Sequence, residues 1–213
     1  MSTGWVTGNL YRLCDWFYRL AFLNLIWIAF TLAGFILFGI FPSTTAAFSV
    51  IRKWLRGEKD VPLVRTFWQS YRKEFIHSNK LGILFGLTAC ILLVDLKFVQ
   101  TLHGVAFISL TSIFSLLIIL FVFTLIYIFP VYVHYELRTL LYIRQAFFIA
   151  IVNPIQTILL VLASVLSFYV TMMLSGLFLF FGISGISLMI MWYSLRIFMN
   201  MDMEMKKHLA PES

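Results

Sequence analysis

Residues 41–80 read FPSTTAAFSVIRKWLRGEKDVPLVRTFWQSYRKEFIHSNK, the one long interval of the chain without a hydrophobic span. The interval holds eight of the sixteen Lys and Arg residues: Arg52, Lys53, Arg56, Lys59, Arg65, Arg72, Lys73 and Lys80. Against Glu58, Asp60 and Glu74 these bases leave it at +5, most of the chain's +7. Loops on the cytoplasmic side of a membrane collect Lys and Arg in this way. The segment therefore predicts a membrane protein and its orientation, with residues 56–80 on the cytoplasmic face.

Composition points the same way. The 213 residues are 62% hydrophobic and 12% charged, with a mean hydropathy of +0.96, as expected of a chain solvated mostly by lipid. Several apolar runs exceed the roughly 18 residues that mark a transmembrane candidate. The expected fold is all-α, a single polytopic helical membrane bundle. Five spans are predicted at 20–41, 81–99, 105–130, 155–174 and 177–198, with a short helix at 43–55 after Pro42 and amphipathic interfacial helices at 5–19 and from Pro62 onward. The bases sit beside spans, where positive-inside bias and anionic headgroups account for them, so no nucleic-acid partner is expected. Cys14 and Cys90 lack CxxC spacing and read as reduced packing residues.

The number of crossings turns on Pro42. Proline removes a backbone donor and disfavours helix at the residue before it, so the first span is expected to stop there and a second helix to start at Ser43 or Thr44. Residues 43–55 would rise only about 20 Å, short of the roughly 30 Å hydrocarbon core. If this helix stays at the interface, five crossings place thirteen bases inside and three outside. If it returns through the membrane, the count becomes fifteen against one, with the amino terminus inside, and the charge distribution favours this second arrangement.

Gly57 is the expected terminator of that helix, and Pro62 the first turn of the next. Phe67, Trp68, Tyr71 and Phe75 then recur at helical spacing, with Arg65, Arg72 and Lys73 between them. Such a helix is predicted to lie on the inner membrane surface. Arg52, Lys53, Trp54, Arg65, Trp68, Tyr71, Arg72 and Lys73 are the candidate surface for anionic headgroups or a protein partner. Asn24, Pro42, Gly57, Pro130 and Pro154 are candidate structural positions, and Asn24, inside an apolar run, is expected to hydrogen-bond a neighbouring helix. The tail from Met201 is expected to fray.

No reaction centre is expected. Asp95 and Lys97 fall near the outer end of a span and not at mid-depth, where an ionisable group would read as functional. His134 and Glu136 lie two positions apart, without the spacing of HExxH. The run Gly182-Ile183-Ser184-Gly185 is similar to an intramembrane serine hydrolase motif, but no histidine inside a span is available as base. No cofactor, metal or catalytic residue is assigned, and the chain is expected not to be an enzyme.

Several blocks carry a family resemblance: Leu23-Asn24-Leu25 with Trp27, FPSTTAAFSVIRKWLRGE ahead of Asp60 and Pro62, FWQSYRKEF with Asn79, Phe129-Pro130, and Ala146 to Pro154. Over nearly its whole length the chain resembles the YesL-like family of bacterial integral membrane proteins, which carry a domain of unknown function. The resemblance implies a multi-pass protein of the bacterial plasma membrane, accessory to carbohydrate uptake or utilisation, with a sugar transporter subunit as partner. It supplies no catalytic residues. A small secondary transporter is the alternative, motivated by a helix interrupted at Pro42.

Overall fold

The computed structural model describes residues 3–58, 61–137 and 139–209. Seven helices and no strand occur among them: α1 Thr3–Ala33, α2 Leu37–Leu55, α3 Leu63–Val99, α4 Val105–His134, α5 Thr139–Val152, α6 Pro154–Met173 and α7 Ser175–Leu209. Five helical segments are long and apolar enough to cross a membrane: Tyr11–Ala33, Leu63–Val99, Val105–His134, Pro154–Met173 and Gly176–Met201. The protein is a helical membrane bundle, and no strand edge is left to satisfy in lipid.

The first turn is not at Pro42. The chain reverses at Gly34, Phe35 and Ile36, and Pro42 lies buried inside α2. Phe35 and Ile36 have positive φ, 56° and 60°, in regions sparsely populated by side-chain-bearing residues that cost about 1–3 kcal/mol each. Two glycines make the reversal tight enough. A Cβ on Gly39 would stand 2.3 Å from the Thr31 carbonyl oxygen, and one on Gly34 2.5 Å from the Gly39 Cα.

A proline inside a helix leaves the carbonyl four residues earlier without its donor. For Pro42 that carbonyl belongs to Phe38, and the Asn79 amide of α3 donates to it at 3.0 Å. The helix therefore continues through the proline, with the missing bond made from its neighbour. Thr44 and Thr45 additionally return their hydroxyls to the carbonyls of Ile40 and Phe41.

α2 is the centre of the bundle, in contact with α1, α3, α4 and α7. Its buried side includes Ser43, Ala46, Ala47 and Val50, small enough for neighbouring helices to approach closely. Ser49 meets Ser70 of α3 at 3.2 Å, and Phe48 stacks on Phe129 of α4 with centroids 5.6 Å apart.

Both expected interfacial helices are the first halves of longer ones. Residues 5–19 continue unbroken into the first span as α1, and the amphipathic segment after Pro62 continues into the span at 81–99 as the 37-residue α3. Nothing between Leu63 and Leu81 stops a helix once it is nucleated. The amphipathic half packs side-on against α2, and α3 as a whole rises about 56 Å. Pro130 likewise lies inside α4, which ends at His134 and not at the proline. α7 carries through the expected frayed tail as far as Leu209.

Gly57 and Pro154 sit where the sequence put them. Gly57, at φ 95°, follows the last turn of α2 and donates its N–H to the Trp54 carbonyl, and Pro154 opens α6. Lys59, Asp60 and Arg138 lie outside the described residues.

Candidate functional site

The basic end of α2, the amphipathic half of α3 and the last turn of α4 converge on a polar cleft. Its inner part, about 240 Å³, is lined by Thr45, Ser49 and Arg52 of α2, Ser70 of α3 and the run Tyr132 to Glu136. An adjoining outer part of about 750 Å³ adds His77 and Leu137, and the two share Lys73, Glu74, Tyr132, Glu136 and Tyr142.

Helix ends position these groups. The last carbonyls of α4 have no intrahelical donor, and the half-buried Arg52 guanidinium reaches across to give Val133 one through Nη1. A cation at a helix C-terminus also meets the negative end of the helix dipole. The Arg52 Nε is buried without a hydrogen-bond partner. The Tyr132 hydroxyl donates to the Glu74 carboxylate, tying α4 to α3. Lys73 approaches the same carboxylate at 3.7 Å, but its side chain is 79% exposed, so the pair contributes at most about 1 kcal/mol. Tyr142 of α5 sets its ring 4.7 Å from that of Tyr132 and accepts the Leu137 N–H at 3.0 Å, which fixes the turn before α5. The arrangement offers donors, acceptors, two acids and two bases around tyrosine faces, a set suited to holding a polar ligand.

The predicted surface residues divide into two groups. Arg65, Arg72 and Lys73 are exposed and Trp68 is 47% exposed, stacked at 6.1 Å on Tyr71 and 5.6 Å from Phe30. Arg52 and Lys53 are half-buried. Trp54 and Tyr71, however, are buried and do not belong to the surface. Trp54 meets Trp16 edge-on at 6.0 Å, while the Tyr71 hydroxyl donates to the Phe30 carbonyl at 3.3 Å. Phe67 is fully buried as well. The aromatic stripe of α3 is thus mostly the seam against α1 and α2, because a bundle neighbour takes the face that the amphipathic pattern alone assigns to lipid.

Asn24 makes a four-fold contact with α7. Its amide nitrogen donates to the carbonyls of Phe178 and Leu179 at 3.3 and 2.8 Å, and its oxygen accepts the N–H groups of Ile183 and Ser184, both at 3.1 Å. Ser184, the serine of the hydrolase-like run, is thereby held by its backbone against α1. Among the described residues no group of three His, Cys, Asp or Glu is placed to hold a metal ion, and Cys14 and Cys90 are free and exposed.

Sequence reasoning missed Asn79, Glu74 with Tyr132, His77 and Tyr142 as partners. Asn79 alone left a usable signal, a lone amide in the turn that leads into an apolar run.

Fold and cleft together define a polytopic helical membrane protein with one polar, basic end. Residues 20–96 match the family described as "Protein of unknown function, DUF624". The chain is 37% identical over 182 residues to YteU of Bacillus subtilis (strain 168), covering 84% of this chain and 81% of YteU. It is 37% identical over 193 residues to YesV of the same organism, covering 91% and 93% of the two chains, and 32% identical over 210 residues to YesL, covering 96% and 97%. All three relatives are described as uncharacterized proteins. No solved structure matches the chain. The chain belongs to the DUF624 family of YesL-like proteins.

Proposed function

We propose that this protein is a non-enzymatic accessory component of carbohydrate uptake or utilisation in the bacterial plasma membrane. Its basic loop and carboxy terminus face the cytoplasm, and it docks a transporter subunit through the outer face of α3. The carbohydrate part rests on the family resemblance alone. The docking part rests on one observation: Trp68 is 47% exposed amid Arg65 and Arg72 while its aromatic neighbours Phe67 and Tyr71 are buried. Stacking on Tyr71 and Phe30 holds its indole in place, so little side-chain freedom remains to be lost on binding. Exposed, rigid Trp and Arg are the residue types in which interface energy concentrates. The transporter alternative rests on a helix interrupted at Pro42, and α2 runs through that proline.

The test is co-purification. Truncating an anchoring tryptophan costs about 2 kcal/mol or more, roughly thirty-fold in affinity. Trp68→Ala is therefore expected to abolish co-purification of a sugar-importer subunit while the protein still inserts in the membrane at normal levels. If Trp68→Ala leaves every co-purifying protein and sugar uptake unchanged, the docking reading is wrong.

A further inference from the structure

Two cavities lie end to end along one flank of the bundle. Beyond the polar cleft, α3, α4 and α5 form an apolar groove of about 320 Å³, lined among others by Phe85, Thr88 and Leu92 of α3, Leu117 and Phe121 of α4 and Phe147 of α5. Between them Ser78, Leu81, Ile128 and Phe129 close around a void of only about 10 Å³, too small for an acyl chain to pass, so cleft and groove are linked over the outer face of α3, where the exposed His77 of the cleft and Leu84 of the groove stand two turns apart. One surface therefore changes from polar to apolar along its length, and α5 follows the same order, with Tyr142 at the cleft and Ile143 and Phe147 at the groove.

The length of this surface matches a lipid. From Glu74 at the cleft to Thr88 in the groove, α3 rises about 21 Å. One leaflet with its headgroups, half of a bilayer of about 40–45 Å, has the same depth. A free metabolite would have no use for the groove, and a bare hydrocarbon none for the cleft.

We propose that cleft and groove together form a binding site for one phospholipid, its head in the cleft and an acyl chain in the groove. Lys73 and His77 stand one turn apart on α3, both exposed, and meet the phosphate together. Across the cleft the exposed Glu136 carboxylate faces the rest of the head. Among the described lining residues Arg52 and Lys73 are balanced by Glu74 and Glu136, which favours a head without net charge. A primary ammonium supplies three donors for Glu136 and the tyrosine oxygens, which a quaternary ammonium cannot. The ligand is therefore a phosphatidylethanolamine and not a phosphatidylglycerol or phosphatidylcholine.

The experiment is native mass spectrometry of the full-length chain, released from mixed micelles that hold equal amounts of phosphatidylethanolamine and phosphatidylglycerol. One phosphatidylethanolamine per chain should be retained about fivefold over phosphatidylglycerol, the ratio expected of about one surface charge contact. Leu117→Trp, which fills the groove, and Lys73→Glu, which repels the phosphate, should each lower that retention about fivefold or more, with helix content and melting unchanged. Phe147→Trp fills the groove from α5 and stands in if Leu117→Trp does not fold. Equal retention of phosphatidylglycerol overturns the assignment. So does retention that both groove-filling variants leave intact, because the lipid would then be an ordinary boundary lipid.

Discussion

Asn24 illustrates how a single polar residue can fix the register of two membrane helices. Its side chain is 2% exposed, and its oxygen and nitrogen each serve two backbone groups of α7. In hydrocarbon no water replaces a lost partner, so removal leaves buried donors and acceptors to be satisfied by rearrangement. Asn24→Leu is expected to destabilise the detergent-solubilised protein by roughly 1–3 kcal/mol. Asn24→Asp should cost at least as much, since it keeps the acceptor but points a carboxylate at the carbonyls of Phe178 and Leu179. Thermal unfolding of the variants provides the measurement, and a wild-type midpoint for Asn24→Leu would show that the contact contributes nothing. Asn79 plays a comparable part at Phe38, where it supplies the donor that Pro42 lacks. The sequence marks both amides as unusual in apolar surroundings. It does not identify their partners, because α7 is more than 150 residues from Asn24 and its carbonyls look alike in sequence.

At the scale of elements, the α1–α2 hairpin is the part that local rules misplace. Pro42 is the stronger breaker by propensity, and Gly34 with Gly39 the weaker. The tertiary contact from Asn79 reverses that order, and the close approach at Gly39 then decides where the chain turns. The same kind of override buried Tyr71 and Trp54. A helical stripe says which residues face something apolar, and only packing says whether that is lipid or another helix. Span positions on α3, α4 and α6, by contrast, follow from length and hydropathy, and the basic end that frames the cleft was legible from charge alone. The cleft itself was not, because it joins side chains of α2, α3, α4 and α5 across four stretches of sequence. The arms of the hairpin carry a consequence for depth. The fourteen residues from Leu20 to Ala33 rise about 21 Å and the fifteen from Leu37 to Ile51 about 22 Å, each bounded by a base, Arg19 or Arg52. Between those bases both arms fall short of the roughly 30 Å core, and α1 reaches that length only if the span runs back past the Arg19–Asp15 pair to Tyr11. The tip is wholly apolar, with Phe35 86% and Leu37 76% exposed, and Gly34, Phe35, Ile36 and Leu37 all give their N–H groups to carbonyls within the turn, as lipid requires. A cysteine replacing Phe35 is therefore expected to resist a membrane-impermeant thiol reagent from either side. Rapid labelling from the far side would mean that the hairpin crosses completely.

For the whole molecule, a hairpin that returns to its own side puts the start of α1, the end of α2, the start of α3, the end of α4 and the end of α7 on one face of the membrane. The opposite face then receives little besides the turn at residues 100–104, with Asp95, Lys97 and His103 near it, and the short α6–α7 turn at Leu174. Among the described residues Lys97 is the only Lys or Arg left there, an asymmetry beyond that of a five-crossing chain with its amino terminus outside. Moving the basic face to the exterior would require fifteen bases to cross against the membrane potential, at about 2.3 kcal/mol per charge per 100 mV. A cysteine replacing the exposed Glu58 should thus be labelled by an impermeant reagent only after the cells are permeabilised, whereas one replacing the exposed Gln100 should be labelled in intact cells. The background Cys14 and Cys90 must first be replaced by serine, since both are free and exposed. Labelling of Glu58→Cys in intact cells would invert the molecule, turn the cleft outward and remove the cytoplasmic docking face along with it. Labelling at both positions without permeabilisation would instead mean that α3 does not cross, against its 37 residues and its apolar second half.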